Sequence, residues 1–430
     1  MKRQVYTVLC SALLCSTVFG GCGNEELQDK GTKLDQQDQS LHLEDSKDIG
    51  VMDNGCTTQS DPYGFLRDVG IKLFDQALQE GENTLISPLS ICGSLILTAQ
   101  GAEGKTQSQI VDLIQNTETS WSLNILFNNY VKALPKDDRY KLNLANSIWI
   151  KDTPELVVNK VYLDNYLVYY DAEVNQAPFD ESTLAEINSW VEEKTDGMIP
   201  EMLNDMPEDA MMYLVNALAF DAEWQTLYNE TQIRKGIFTA GDGTEQNAEM
   251  MYSKENVYLE DEGAVGFLKY YADEKYAFVA LLPNEGTSVA DYVASLNENP
   301  YYAVWKLLRN TQEITVNAAI PKFECSYDIS LQDTLTALGV VDAFDPDLAD
   351  FSIICKTVPL YISEVLHKTY IAVDERGTKA GASTAVVFEE EGASVSKDDK
   401  NVYLDRPFLY MIIDCEEKIP LFIGTLDHLE

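Results

Sequence analysis

The segment from Glu375 to Lys400, ERGTKAGASTAVVFEEEGASVSKDDK, constrains the fold of this chain more than any other. It opens on a charged turn with a glycine pivot, Glu375-Arg376-Gly377. Small, then β-branched, then aromatic residues follow from Thr378 to Phe388, and Glu389–Lys400 is charged or small and resists burial. As a strand, the middle piece places Thr378, Ala380, Ala382, Thr384, Val386 and Phe388 on one face. Lys379, Gly381, Ser383, Ala385, Val387 and Glu389 share the other. Both charges lie on the second face, so the first can enter a core without burying one. A permanent central strand does not end in an acidic tip. The pattern fits a loop that can become a strand.

The rest of the chain supplies sheets. Strand-like runs cover Lys141–Ile150, Met212–Phe220, Tyr276–Leu282, Glu313–Ile320, Leu360–His367 and Phe408–Asp414. Helical periodicity marks Tyr63–Gln79, and Ser90–Gln100 is a helix entered through Ser87-Pro88. Leu184–Thr195 is amphipathic and stops at Asp196-Gly197, while Gly101–Gly104 reads as a turn after a helix. No Pro/Gly/Ser linker interrupts this span and no repeat recurs in it. Residues 59–430 are therefore expected to form one α+β domain with large sheets.

The beginning of the chain reads as targeting, not folding. Lys2 and Arg3 precede an apolar run, Val5–Phe19, that is short for a membrane span and leads into Phe19-Gly20-Gly21-Cys22. This resembles a bacterial lipobox, which implies a signal peptide over 1–21, lipidation of Cys22 and a cell-surface location; ordinary secretion is the alternative. Residues 22–58, acidic and without an apolar face, are expected to form a flexible tether. Of eight cysteines, Cys56, Cys92, Cys325, Cys355 and Cys415 lie beyond Cys22, an odd and scattered set without a disulfide framework or zinc spacing. Cys92, Cys355 and Cys415 sit in apolar runs and read as small core residues.

Charge narrows the partners. Lys and Arg number 31 against 71 Asp and Glu, a formal net charge of −40, which repels phosphate backbones and anionic lipid and attracts cationic proteins. Nucleic acid is excluded as a partner, and membrane contact is expected only through the lipid. Enzyme chemistry finds little support. There are 3 histidines, His42, His367 and His428, and no GxSxG, HExxH, P-loop or nucleotide fingerprint. At this acidic density, Glu260/Glu262 reads as a solvated pair and not as glycosidase carboxylates. An acidic extracellular hydrolase lacks its catalytic constellation. No metal site or cofactor is expected.

Several blocks then point to one family. Asn83-Thr84-Leu85-Ile86-Ser87-Pro88-Leu89-Ser90-Ile91 and Gly101-Ala102-Glu103-Gly104-Lys105-Thr106 come first. Ile187-Asn188-Ser189-Trp190-Val191 and Lys194-Thr195-Asp196-Gly197-Met198-Ile199 follow. Next are Val215-Asn216-Ala217-Leu218-Ala219-Phe220 with Trp224, Met250-Met251, and Ile320-Pro321-Lys322-Phe323. Arg406-Pro407-Phe408 and Leu421-Phe422-Ile423-Gly424 close the series. In order and spacing across residues 59–430, the chain resembles the serpins, suicide inhibitors of proteases.

The resemblance implies a serpin fold, with an exposed reactive-centre loop and a large sheet that accepts the cleaved loop as an extra strand. It implies a monomer with a serine protease as partner; inhibition of cysteine proteases, or a non-inhibitory binding lipoprotein on the same scaffold, are the alternatives. The family's hinge falls on Glu375, Gly377, Thr378, Ala380, Gly381, Ala382, Ser383 and Thr384, where small side chains permit fast insertion. Thr378→Arg is then expected to turn inhibitor into substrate with native stability hardly changed. The sheet-opening switch falls on Ser87, Ser90, Asn216 and His367, a hydrogen-bonded clasp, with Trp224 near the point where the loop enters the sheet. The family's usual spacing from Glu375 makes Glu391–Gly392 the scissile bond and suggests an acid-preferring target. Cleavage at Ala393, Ser394 or Val387 would instead suit elastase-like enzymes.

Overall fold

The computed structural model describes residues 62–429 apart from 115–119, 138, 163–172, 208, 298–307, 309–311 and 379–398. Two sheets organise it. In the first, the strand order is β10 (Phe323–Ser330), β11 (Glu364–Val373), β12 (Gly377–Thr378), β4 (Met212–Glu223), β2 (Tyr140–Lys151) and β3 (Glu173–Ala177). The second runs β1 (Thr84–Ile86), β15 (Pro420–Leu426), β14 (Phe408–Asp414), β8 (Tyr276–Pro283), β7 (Ala264–Tyr270), β6 (Glu245–Glu260), β9 (Gln312–Pro321) and β13 (Lys400–Tyr403). β5 (Ile233–Thr239) pairs with β6 beside that path.

β4 shows why the first sheet is a two-sided layer. Its apolar run has no polar face, and the strand is buried along almost its whole length. Period two sorts it: Met212, Leu214, Leu218, Phe220 and Ala222 join the main core. Tyr213, Val215 and Ala217 join a second cluster with Trp149, Ile187 and Val191. The second cluster is closed by α5 (Glu181–Lys194), which presents Ile187 and Val191 to it. Asp180 caps that helix by accepting hydrogen bonds from the Ser182 and Thr183 amides. At its other end Asp196 and Gly197 take positive φ, and the Gly197 amide donates to Glu192 O.

On the main-core side lies α2 (Pro88–Gly101), buried almost all round. Ser87 caps it by accepting from the Ser90 amide, and Pro88 occupies the first helical position, where its missing N–H costs nothing. α1 (Gly64–Ala77), α3 (Gly104–Ile114) and α4 (Ser120–Ala133) surround it, and α6 (Val289–Asn297) and α7 (Gln332–Ala337) lie further along the chain. The predicted helices and strands recur within a few residues of their expected limits, with one exception. The run Leu360–His367 becomes a strand only from Glu364, and continues to Val373. Ahead of it, the Ile362 amide donates to Ala343 O and the Ser363 amide to Met212 O, so the ladder starts where β4 becomes available. Cys92 and Cys355 are buried as expected, whereas Cys415 is only half-buried. Glu260 and Glu262 are both exposed.

Candidate functional site: the gap between β4 and β11

β4 and β11 pair directly and in parallel from Tyr213↔Glu364 to Leu218↔Thr369. Beyond that point they part, and β12 fills the opening: Gly377 lies opposite Glu223, and Thr378 opposite both Ala222 and Val373. The first sheet is thus zipped at one end and wedged at the other by two residues of the segment that the sequence marks as a latent strand. Residues directly opposite share a face, and Ala222 and Val373 both belong to the main core. Thr378 therefore points inward, as the parity argument requires, and is fully buried. Its hydroxyl is hydrogen-bonded to that of Tyr271.

Gly377 and Thr378, at the start of the hinge, are thus already part of the sheet. The role given to Gly377 as the pivot of a turn is corrected. Its φ is not positive, so no turn requires a glycine there. A Cβ at that position would sit 1.9 Å from Ala222 O, so the glycine is there because β4 passes too close for any side chain. Asp374 makes the turn instead. Its carboxylate accepts from the Arg376 and Gly377 amides at 2.7 and 3.2 Å, and its own amide donates to Gly377 O at 3.0 Å.

The far side of the turn is gripped by residues after β4. The Trp224 indole N–H donates to Asp374 O at 2.8 Å and its amide to Arg376 O at 2.8 Å. The Tyr228 amide donates to Glu375 O at 3.0 Å. Trp224 stacks on Tyr271 with ring centres 4.5 Å apart and planes 11° from parallel. The two residues also form an isolated bridge that links the two sheets. Glu375 pairs with Lys322 at 2.7 Å, and Lys322 reaches Glu249 at 3.4 Å. The Lys322 hydrogen bond holds the Glu375 carboxyl below its usual range, against the opposing effect of burial. Both partners are partly exposed, so this pair contributes little to stability by itself.

Ser87, Ser90, Asn216 and His367 do come together, at the zipped part of the sheet. The Ser87 amide donates to His367 Nε2 at 3.0 Å, which leaves Nδ1 as the protonated nitrogen, donating to Asn216 Oδ1. Ser90 Oγ donates to the same Asn216 oxygen at 3.4 Å. Asn216 and His367 are opposite one another across β4 and β11, so the cluster ties helix α2 to the two strands that would have to separate. Trp224 is not part of it. It follows the end of β4, eight residues beyond Asn216 and roughly 26 Å away at strand rise, beside the wedge.

Burial alone pushes the His367 pKa down to about 3. The imidazole is neutral in the folded chain and charges on unfolding, so the unfolded state binds more protons between about pH 3 and pH 6.5. This contribution to stability is complete above pH 6.5 and erodes as the pH falls, by about 2 kcal/mol at pH 5. Thermal melts at pH 7.5 and pH 5.0 check this: His367→Gln is expected to show a clearly smaller drop than the unaltered chain. An equal drop in both removes His367 from the acid response.

Ala380, Gly381, Ala382, Ser383 and Thr384, the scissile pair Glu391–Gly392 with Ala393, Ser394 and Val387, and Cys22 all lie outside the described residues. Tyr271, Asp374 and the Lys322–Glu375 pair are contacts that the sequence reading does not anticipate. Tyr271 meets Thr378 across 107 residues and Lys322 meets Glu375 across 53, so no local pattern signals either, whereas the Asp374 turn is local and could have been read from an aspartate three residues before a glycine. Among the described residues, no group of three or more His, Cys, Asp or Glu is arranged to hold a metal ion.

Comparison with known proteins agrees with this architecture. The family model for Serpin (serine protease inhibitor) matches residues 66–428. An uncharacterised serpin-like protein of Methanosarcina acetivorans is 30% identical over 385 residues, covering 87% of this chain and 88% of its own. Human neuroserpin is 27% identical over 403 residues, covering 88% and 95%. The native-state crystal structure of tengpin, a thermophilic serpin, matches with a TM-score of 0.81 at 43% identity, over 86% of this chain and 94% of that one. Its latent state gives 0.76 at 42%, over 86% and 99%. The fold is that of the serpins, and the chain belongs to the serpin family.

Proposed function

We propose that this serpin is a suicide inhibitor of serine endopeptidases. The observation that carries the reading is β12. Gly377 and Thr378 already occupy the gap between β4 and β11 in antiparallel register with both, and Thr378 faces the core. When a protease serine attacks the loop, its oxygen bonds to the carbonyl carbon of the residue before the scissile bond. The amine of the following residue leaves, and the upstream part of the loop remains joined to the enzyme as an ester. Severed from the residues after the bond, that part can extend β12 between β4 and β11, carrying Ala380, Ala382, Thr384, Val386 and Phe388 inward on the Thr378 face. The attached protease is drawn along the sheet before water can hydrolyse the ester.

Glu391–Gly392 is the proposed bond, with an acid-preferring target; elastase-like cleavage at Ala393, Ser394 or Val387 is the competing register. A cationic target gains rate from the net charge of −40. The test is a panel of serine and cysteine proteases, scored for SDS-resistant covalent complexes, with sequencing of the released C-terminal peptide. A complex with at least one serine protease is expected. Cleavage by every active protease without any complex overturns the reading in favour of a non-inhibitory scaffold, and complexes with cysteine proteases alone reassign the class. Export and lipid attachment at Cys22 are proposed from the leader sequence, and the mass of the mature N-terminus checks them.

A further inference from the structure

Behind the residues that grip the 374–377 turn lies a buried charge that the trapping step does not call on. Lys269 on β7 has a side chain only 3% exposed, and its Nζ lies 2.9 Å from Glu255 Oε1 on β6. The same ammonium is 4.4 Å from the ring centre of Tyr228 and 5.3 Å from that of Trp224. Glu255 also accepts from the Ser253 hydroxyl at 2.6 Å, and Ser253 Oγ is 3.2 Å from the Tyr228 hydroxyl. Lys269, Glu255, Ser253 and Tyr228 thus form a ring of polar contacts against the Trp224–Tyr271 stack. Burial opposes the Lys269 charge, but Tyr228 and Glu255 outweigh it and hold the ammonium above the usual lysine range.

A buried ion pair is a weak way to add stability, because apolar residues of the same size fill such a site as well or better. It does impose direction. A cation is attracted to ring faces, and the carboxylate fixes where the cation sits, so the indole and phenol are held in one orientation. Those two residues donate three of the hydrogen bonds that hold the turn: Trp224 Nε1 to Asp374, the Trp224 amide to Arg376 and the Tyr228 amide to Glu375. We propose that Lys269, anchored by Glu255, is a positioning residue for the loop. It aims Trp224 and Tyr228 at the 374–377 turn and so keeps Gly377–Thr378 docked before any protease arrives. Its effect on trapping, a well-placed first rung from which insertion proceeds, rests on the function proposed above; the docking itself does not.

The experiment is hydrogen exchange on the uncleaved, full-length protein, read by mass spectrometry on peptides covering residues 370–378. The double variant Lys269→Met/Glu255→Gln removes both charges and leaves neither buried alone. It is expected to melt within a few degrees of the unaltered chain while the turn and Thr378 amides exchange roughly tenfold faster or more. Lys269→Arg, which keeps a cation under the rings, is expected to restore slow exchange. Should the double variant fail to fold, Glu255→Gln alone carries the comparison, with a smaller increase expected. Slow exchange in a folded variant without the pair overturns the proposal, as does an arginine that loosens the turn as much as methionine. Faster exchange in a protein that traps no protease would instead sink the inhibitor reading and leave this one standing.

Discussion

Thr378→Arg is expected to abolish trapping while leaving cleavage intact: the variant is cut by the same protease at the same bond, and the covalent complex falls by more than about a hundredfold. The reason is a branching ratio. After acylation, insertion competes with hydrolysis, and every 1.4 kcal/mol added to the insertion barrier shifts the outcome about tenfold. Thr378 is fully buried, and its hydroxyl is hydrogen-bonded to that of Tyr271. A guanidinium there would be buried without a counter-charge, and a cost of about 3 kcal/mol already gives the hundredfold. The sequence alone predicts unchanged native stability, but the docked position of Thr378 alters that. The native form must surrender the two-residue strand β12 and leave the Tyr271 hydroxyl without its partner, about 1–3 kcal/mol. Its melting temperature should therefore fall by a few degrees. Complex formation at the original stoichiometry would count decisively against insertion as the trapping step.

What the sequence discloses about this machinery follows from where the physics is local. Parity is local. The Thr378 face was readable because charges at Lys379 and Glu389 fall on the other side, and the core-facing Thr378 agrees with it. Helix limits are local too: Ser87-Pro88 starts α2 and Asp196-Gly197 ends α5, through a cap, a missing N–H and a positive φ. The start of β11 is not, because Leu360–Ile362 reads as apolar as much of the strand that follows, and the ladder with β4 begins only at Glu364 opposite Tyr213. Gly377 misled for a related reason. A glycine beside charged residues looks like a turn, and only the path of β4, 155 residues earlier at Ala222, shows that it serves a close approach. Lys269 is the extreme case. A lysine within a strand ordinarily faces water, and its burial is intelligible only once Glu255, Tyr228 and Trp224 are seen around it.

The second large effect concerns the loop after it is cut. Clipping it with a protease that is not retained should raise the melting temperature of the body by more than about 10 °C, because the freed segment completes the sheet. Continuing β12 between β4 and β11 requires breaking the direct pairing from Tyr213↔Glu364 to Leu218↔Thr369 and the contact between Asn216 and His367 across it. Each strand then regains a partner, and the inserted segment adds a ladder on both edges. The net gain is roughly a dozen hydrogen bonds at about 1 kcal/mol each, with burial of Val386 and Phe388 in addition. Against an unfolding entropy of about 2.1 cal/mol/K per residue, a gain of about 10 kcal/mol lifts the midpoint of a domain this size by roughly 13 °C. On the proposed function the intact form is held by a barrier and not by equilibrium, and the hydrogen bonds among Ser87, Ser90, Asn216 and His367 would have to break for the sheet to open. Two side-by-side melts decide the matter. A clipped sample that unfolds at the temperature of the intact one would mean that the sheet never opens, and that Gly377 and Thr378 are the only loop residues it ever accepts.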